Sequence, residues 1–269
     1  MNVVCPNLSH IPESYWNDKL KSKNIDIIVK YGYPTNVEED VVVTDADMLN
    51  TNQDYKNIYG WIIESSDILE HFTPGYFEKV KNNLHVFKKI YTHDIDLLNY
   101  SDKFVFYPHG DCWIKDPKFN KTKLISMISS GKDWISGHRF RLEIVKNIST
   151  KIDFFGRDTN PIDRKEDALN EYMFSIAMEN YKKDYYFTEK LIDCFRTKTI
   201  PIYWGCPSIG NFFDVNGILT FDTVEELKSI LLNLTNEYYY SKIKSIEFNY
   251  KKSFEYDSPF SNCQMFLNK

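Results

Sequence analysis

Short apolar or β-branched runs alternate with helical segments along most of the chain. Residues 25–29, 41–44, 59–63, 86–91 and 104–107 are runs of this kind, bounded by polar or turn residues, and they predict strands. Thr73-Pro74-Gly75 marks a turn ahead of a helix over 76–83, and a short helix is expected over 94–98. The stretch 115–123 (KDPKFNKTK) is mostly polar and is the linker candidate. The alternation then restarts, with strands expected at 124–128, 152–155, 172–177, 200–204 and 218–221. Phe140, Ile144 and Ile148 fall on one face of a helix over 138–148. Thr188 is placed to cap a helix reaching about Phe195. Thr223 and Glu226 form a capping-box pattern ahead of Leu227, Ile230, Leu231 and Leu234, and a Tyr- and Lys-rich helical stretch follows over 236–254. Strands interleaved with helices predict parallel α/β units. The expected architecture is two Rossmann-like domains facing a cleft, residues 1–117 and residues 118–269.

Composition narrows the function classes. The 269-residue chain has 33 basic and 38 acidic residues, a net charge of −5, so it lacks the basic excess that phosphate-backbone binding requires and no nucleic-acid partner is expected. The 19 Tyr and 19 Phe supply ample apolar surface for a core, which excludes disorder as the main state. No run approaches the roughly 20 apolar residues of a membrane span, and the first residues lack a signal-peptide pattern. Cys5, Cys112, Cys194, Cys206 and Cys263 form no CxxC pair; their odd number and wide spacing predict reduced thiols in a cytoplasmic protein.

The segment 179–213 (ENYKKDYYFTEKLIDCFRTKTIPIYWGCPSIGNFF) concentrates the candidate chemistry. A polar loop leads to Tyr186-Phe187-Thr188-Glu189-Lys190 at a helix start, where free N–H groups and the positive end of the helix dipole suit a phosphate. Lys190 adds a mobile positive charge, Glu189 is suited to hydroxyls such as those of a ribose, and Tyr186 is suited to stacking or hydrogen bonding at the rim. Read from its residues alone, the segment is more often an ordinary exposed Glu-Lys pair in a first helical turn. Neither GxGxxG nor GxxxxGK[ST] occurs.

This segment resembles the C-terminal signature of the alpha-1,3-fucosyltransferase family, glycosyltransferase family ten. Glu179-Asn180, Tyr186-Phe187-Thr188-Glu189-Lys190 and Ile200-Pro201-Ile202-Tyr203-Trp204-Gly205 occur in the family's order and spacing, and Pro207-Ser208-Ile209 continues the match. A second stretch is similar: His138-Arg139-Phe140-Arg141 opens a helix that leads to Lys151-Ile152-Asp153-Phe154-Phe155-Gly156. The resemblance covers about 132–222. It implies a GT-B type fold and an inverting transfer of fucose from GDP-fucose to a glycan hydroxyl. It places Arg139 and Lys190 on the donor diphosphate, with Arg141 as the neighbouring alternative, Glu189 on the ribose, and Tyr186 and Asn180 in the donor pocket. Arginine suits the diphosphate because its fixed fork of donors pairs with phosphate oxygens. The resemblance implies a nucleotide sugar and a glycan acceptor as partners. No tightly bound cofactor and no metal ligand on the protein are expected, and a divalent metal is allowed but not required, because Arg, Lys and a helix end can offset the charge that a divalent metal balances elsewhere.

In the first half the resemblance is weak. It singles out Glu64, at the carboxyl end of a strand in Trp61-Ile62-Ile63-Glu64-Ser65-Ser66, as the general base; Ser66 stands where the family often has Pro. Transfer from another nucleotide sugar, or a non-catalytic glycan- or nucleotide-binding role, are the alternatives. Asp45-Ala46-Asp47 matches a short metal-binding pattern, but a loop or cap is the expected role. His93 is a candidate to line the cleft, and Asp94 a candidate helix cap. Trp113 and Trp204 are expected as core or cleft-wall aromatics.

Overall fold

The structure is a computed structural model that describes residues 2–4, 12–22, 28–32, 36–38, 40–51, 54–148 and 152–256. Cys5, Cys263, Lys151 and the first part of the strand expected at 25–29 lie outside the described residues. The chain forms two compact units, which divide between His109 and Gly110.

The first unit is built on a six-stranded parallel sheet. Its strands are β1 (Asn2–Val4), β2 (Ile28–Lys30), β3 (Asp40–Thr44), β4 (Asn57–Trp61), β5 (Ile90–Thr92) and β6 (Phe104–Phe106), in spatial order β2-β1-β3-β4-β5-β6. Central strands β3 and β4 are buried on both faces, which is why they read as continuous apolar runs and not as alternation. Among the described residues, four α-helices accompany the sheet: α1 (Glu13–Ser22), α2 (Ser66–Phe72), α3 (Tyr76–Asn82) and α4 (Ile95–Leu98). Trp16 and Leu20, one helical turn apart, anchor α1 in a cluster with Trp61, Tyr91 and Tyr107. Asp94 caps α4 as expected, accepting from the N–H groups of Asp96 (2.9 Å) and Leu97 (3.3 Å).

The second unit repeats the plan with five strands. These are β7 (Lys123–Ile128), β8 (Asp153–Phe155), β9 (Tyr172–Met178), β10 (Ile200–Trp204) and β11 (Leu219–Thr220), all parallel, in spatial order β11-β10-β9-β7-β8. Its helices are α5 (Ser136–Asn147), α6 (Glu189–Arg196), α7 (Val224–Leu232), α8 (Asn236–Ser241) and α9 (Ile243–Lys252). Counted within each unit, both sheets start with the order 2-1-3-4-5. The chain therefore reverses direction beside the first strand, and the crevice at the carboxyl ends of the strands there is where such sheets hold ligands. In the second unit this switch point lies between β7 and β9.

Every position of β9 is buried, as the centre of a doubly covered sheet requires. The capping box at α7 is formed: Thr223 accepts from the Glu226 N–H at 3.1 Å, and Glu226 accepts from the Thr223 N–H at 3.3 Å. The polar stretch 115–123 is bound to the second unit. Glu166 accepts from the backbone N–H groups of Lys115 (2.7 Å) and Asp116 (3.1 Å), and Asn170 from that of Lys118 (3.0 Å). Lys121 turns inward to the Leu169 carbonyl (3.0 Å) and the Thr199 hydroxyl (2.8 Å), where burial pushes its pKa down to about 7.

Candidate active site

The switch point of the second sheet is built from two departures of the chain. From β7 the chain runs through residues 129–135 into α5. From β9 it passes Glu179 and Asn180 and loops back to α6. The two meet at Gly137 in the first turn of α5: a Cβ there would collide with the Asn180 carbonyl oxygen, so glycine permits the approach.

Glu179 is the hub. Its side chain is fully buried at the carboxyl end of β9. It accepts from the Thr188 N–H (2.9 Å), the Thr188 hydroxyl (2.6 Å) and the Tyr203 hydroxyl (3.3 Å), and lies 3.7 Å from Lys190 Nζ. Burial raises its pKa, and the Lys190 charge acts against that rise. Gly205 is the second glycine that sterics require: a Cβ would sit 2.5 Å from Glu179 Cγ and would also strike the Tyr203 hydroxyl. The Glu-Asn, Tyr-x-Thr-Glu-Lys and Tyr-Trp-Gly elements are thus one packed unit, distant in sequence but bound through a single carboxylate.

Thr188 caps α6, its hydroxyl accepting from both the N–H (3.4 Å) and the Nζ (3.0 Å) of Lys190. One of the helix's free donors is thereby already used, so the positive character of the site rests mainly on side chains. Lys190 Nζ also lies 3.2 Å from Glu189. Burial acts to raise the Glu189 pKa, but Lys190 and Lys165 outweigh it and hold the carboxyl well below the usual range. Glu189 is therefore ionised at neutral pH and acts as an acceptor.

The structure separates the two arginines. Arg139 is exposed and turns its guanidinium back to the carbonyls of Asp133 (3.1 Å) and Trp134 (3.2 Å). Arg141 is only 5% exposed; burial lowers its pKa, and the charges of Glu179 and Glu189 act to raise it. Its Nε is buried without a hydrogen-bond partner. His138 beside it is 2% exposed. Burial first, then the Arg141 charge, push its pKa down to about 4, so the ring is neutral at pH 7. Asn180 is half-buried and hydrogen-bonds the His138 ring. Tyr186 is 2% exposed, a wall residue beneath the loop and not the rim residue the sequence predicts.

Sequence reasoning missed Lys165 and Asp193. Lys165 bridges Asp193 (2.8 Å) and Glu189 (3.5 Å), and its Nζ stands 4.1 Å over the Trp113 ring. Asp193 also accepts from the Trp113 N–H at 2.8 Å. Arg141, Lys165 and Lys190 thus stand among Glu179, Glu189 and Asp193. Two of the three cations are held by carboxylates, and Arg141 keeps an unsatisfied donor. Such a site can accept a dianion without carrying exposed excess charge beforehand.

Glu64 lies in the first unit, exposed after β4. Its N–H donates to Asp45 Oδ1 at 3.2 Å. Ser65 caps α2, accepting from the Ile68 N–H at 3.4 Å, which makes Ser66 the first helical residue, a position that serine and proline both satisfy. His93 is buried, with Nε2 3.3 Å from the Ile63 carbonyl. Trp113 is 45% exposed and Trp204 half-buried. Among the described residues no helix is long and apolar enough to cross a membrane, and no group of three or more His, Cys, Asp or Glu forms a candidate metal site. Cys112, Cys194 and Cys206 are buried.

The chain is 34% identical to the alpha-(1,3)-fucosyltransferase FucT of Helicobacter pylori over 83 residues, 29% of this chain and 17% of that protein. It is 31% identical to a putative fucosyltransferase-like protein of Arabidopsis thaliana over 93 residues, 33% of this chain and 18% of that protein. The matched stretches therefore span less than a fifth of either relative. A crystal structure of an alpha1,3-fucosyltransferase with GDP superposes with a TM-score of 0.61 at 16% identity, covering 99% of this chain and 89% of that one. A DNA-modifying beta-glucosyltransferase superposes with a TM-score of 0.55 at 12% identity, covering 99% and 97%. The two units thus have the fold of GT-B glycosyltransferases. The model of the glycosyltransferase family 10 (fucosyltransferase) C-terminal region matches residues 119–265, more than half of the chain and all of the second-unit cluster. The chain belongs to glycosyltransferase family 10, the fucosyltransferase family.

Proposed function

We propose that the protein is an inverting fucosyltransferase that moves fucose from GDP-fucose to a hydroxyl of a glycan acceptor. The observation that carries the reading is the buried cluster at the switch point of the second sheet, where Arg141 with its unsatisfied Nε stands beside the Glu189–Lys190 pair. Arg141 and Lys190 offset the charge that builds on the departing diphosphate, a stabilisation greatest in the transition state. Arg141 takes this role in preference to Arg139, because it is buried among the cluster's carboxylates while Arg139 is satisfied by backbone carbonyls. Glu189, held ionised, accepts hydrogen bonds from the ribose hydroxyls. Asn180 and the neutral His138 supply uncharged polar contacts, and Tyr186 backs the loop that carries them.

The transfer is a single displacement. The acceptor oxygen bonds to the anomeric carbon as the bond from that carbon to the diphosphate oxygen breaks, and GDP leaves with the electron pair. Glu64 takes the proton of the attacking hydroxyl. The test is a transfer assay with GDP-fucose, other GDP-sugars and UDP-sugars over a panel of oligosaccharide acceptors, with the product anomer assigned by NMR. Fucosylated product of inverted configuration supports the reading. Turnover of UDP-sugars alone, or retained configuration, overturns it.

A further inference from the structure

Asp45 directly follows β3, the strand next to the first on the switch-point side of the first sheet. Three features set it apart. Its backbone takes the left-handed conformation (φ 45°), which a residue other than glycine adopts at a cost that neighbouring contacts must repay. Its side chain is 5% exposed and accepts from two successive backbone donors, the N–H groups of Ile63 (2.8 Å) and Glu64 (3.2 Å). Its own carbonyl accepts from the hydroxyl of Tyr76, a fully buried residue of α3, at 3.0 Å. One residue thus joins the end of β3, the loop that carries Glu64 and the first turn of α3.

We propose that Asp45 is a positioning residue for Glu64: it fixes the Glu64 backbone through the paired N–H bonds and couples its own charge to the Glu64 carboxylate. This rests on the assignment of Glu64 as the base. It gives the Asp45-Ala46-Asp47 motif a role that needs no metal. The groups facing Asp45 are Glu64 on the β4–α2 loop, Asp47 on its own turn and the Tyr76 hydroxyl on α3; the His93 ring holds the same loop from the other side through the Ile63 carbonyl. Burial, then the Glu64 charge, push the Asp45 carboxyl up to about 7. Below that pH Asp45 is neutral beside an ionised Glu64. Above it, the second negative charge makes the Glu64 carboxylate hold a proton more firmly and so makes it a stronger base.

The experiment measures kcat and KM against pH for fucosyl transfer from GDP-fucose to the oligosaccharide of the acceptor panel that turns over. It compares the wild type with Asp45→Asn, which keeps the acceptor oxygen and loses the charge, Asp45→Ala, which loses both, and Glu64→Gln. The wild type should show a kcat step of about 2- to 10-fold rising through pH 7, absent in Asp45→Asn. Asp45→Ala should lose about 10- to 100-fold in kcat, with the KM for GDP-fucose within about twofold of wild type. Coincident wild-type and Asp45→Asn profiles with full kcat in Asp45→Ala would overturn the proposal. So would losses in both Asp45 variants that simply track a fall in melting temperature and donor affinity. Loss of activity in Glu64→Gln alongside unaffected Asp45 variants removes this inference alone. A Glu64→Gln enzyme at the wild-type rate removes the base assignment with it.

Discussion

Lys165→Met tests whether the cluster is held by paired charges. In the folded chain the Lys165 ammonium is the ion-pair partner of Asp193 at 2.8 Å and of Glu189 at 3.5 Å, and it rests on Trp113. The side chains of Asp193 and Glu189 are 1% and 15% exposed, so methionine fills the space but leaves two poorly solvated carboxylates. Breaking a buried pair from one side costs about 3–5 kcal/mol. Glu189 keeps Lys190 and Asp193 keeps the Trp113 N–H, which puts the loss at the lower end, about 3 kcal/mol with the lost cation–π contact included. For a unit of this size that is a fall in melting temperature of about 6–12 °C. The loss should also depend on pH. Burial raises the Asp193 pKa and the Lys165 charge acts against that rise, so without Lys165 the Asp193 carboxyl takes up a proton at higher pH and the loss shrinks as pH falls. Urea denaturation followed by tryptophan fluorescence at pH 7 and at pH 4 measures both effects, with the gap to wild type narrowing at the lower pH. A loss under about 0.5 kcal/mol, the size expected of an exposed pair, would refute the reasoning.

Gly205→Ala should push Glu179 off Thr188 and cost about 1–3 kcal/mol in stability by overpacking; melting scans with and without GDP check whether donor stabilisation falls as well. Thr223→Ala removes one arm of the fully formed capping box of α7 and should cost about 1 kcal/mol in chemical denaturation.

The strands of the second unit were the most legible part of the fold. β7, β9 and β10 are buried apolar runs of ordinary strand length, and the expected ranges match to within a residue or two at each end. The helix expected over 236–254 is instead α8 and α9, with a break at Lys242 that composition does not mark. α1 was missed because its apolar content is essentially Trp16 and Leu20 amid charged residues, and its stability comes from the tertiary pocket they enter. The strand expected over 86–91 is a 3₁₀ turn at Leu84–Val86 followed by β5 from Ile90, because pairing with β4 and β6 fixes the register and local preference does not.

In the site, Thr188, Glu189 and Lys190 were readable as a helix start. The choice between Arg139 and Arg141 was readable too. Gly137, Arg141, Ile144 and Ile148 recur at helical spacing, and both isoleucines are buried, so Arg141 shares the inward face while Arg139 falls about 200° away. Lys165 and Asp193 carried no local signal. One lies in a polar turn and the other within an amphipathic helix, and only the packing of α6 against the 111–116 segment brings them together.

The second-unit cluster is predicted to be a GDP-sugar site. Calorimetric titration of GDP-fucose and of UDP-glucose into wild type and Arg141→Met tests it directly. The prediction is binding of GDP-fucose to the wild type, weakened about tenfold or more in Arg141→Met as a charge-assisted contact is lost, in a variant that still folds. Equal affinity in both proteins, or no binding of any GDP compound to the wild type, would contradict it.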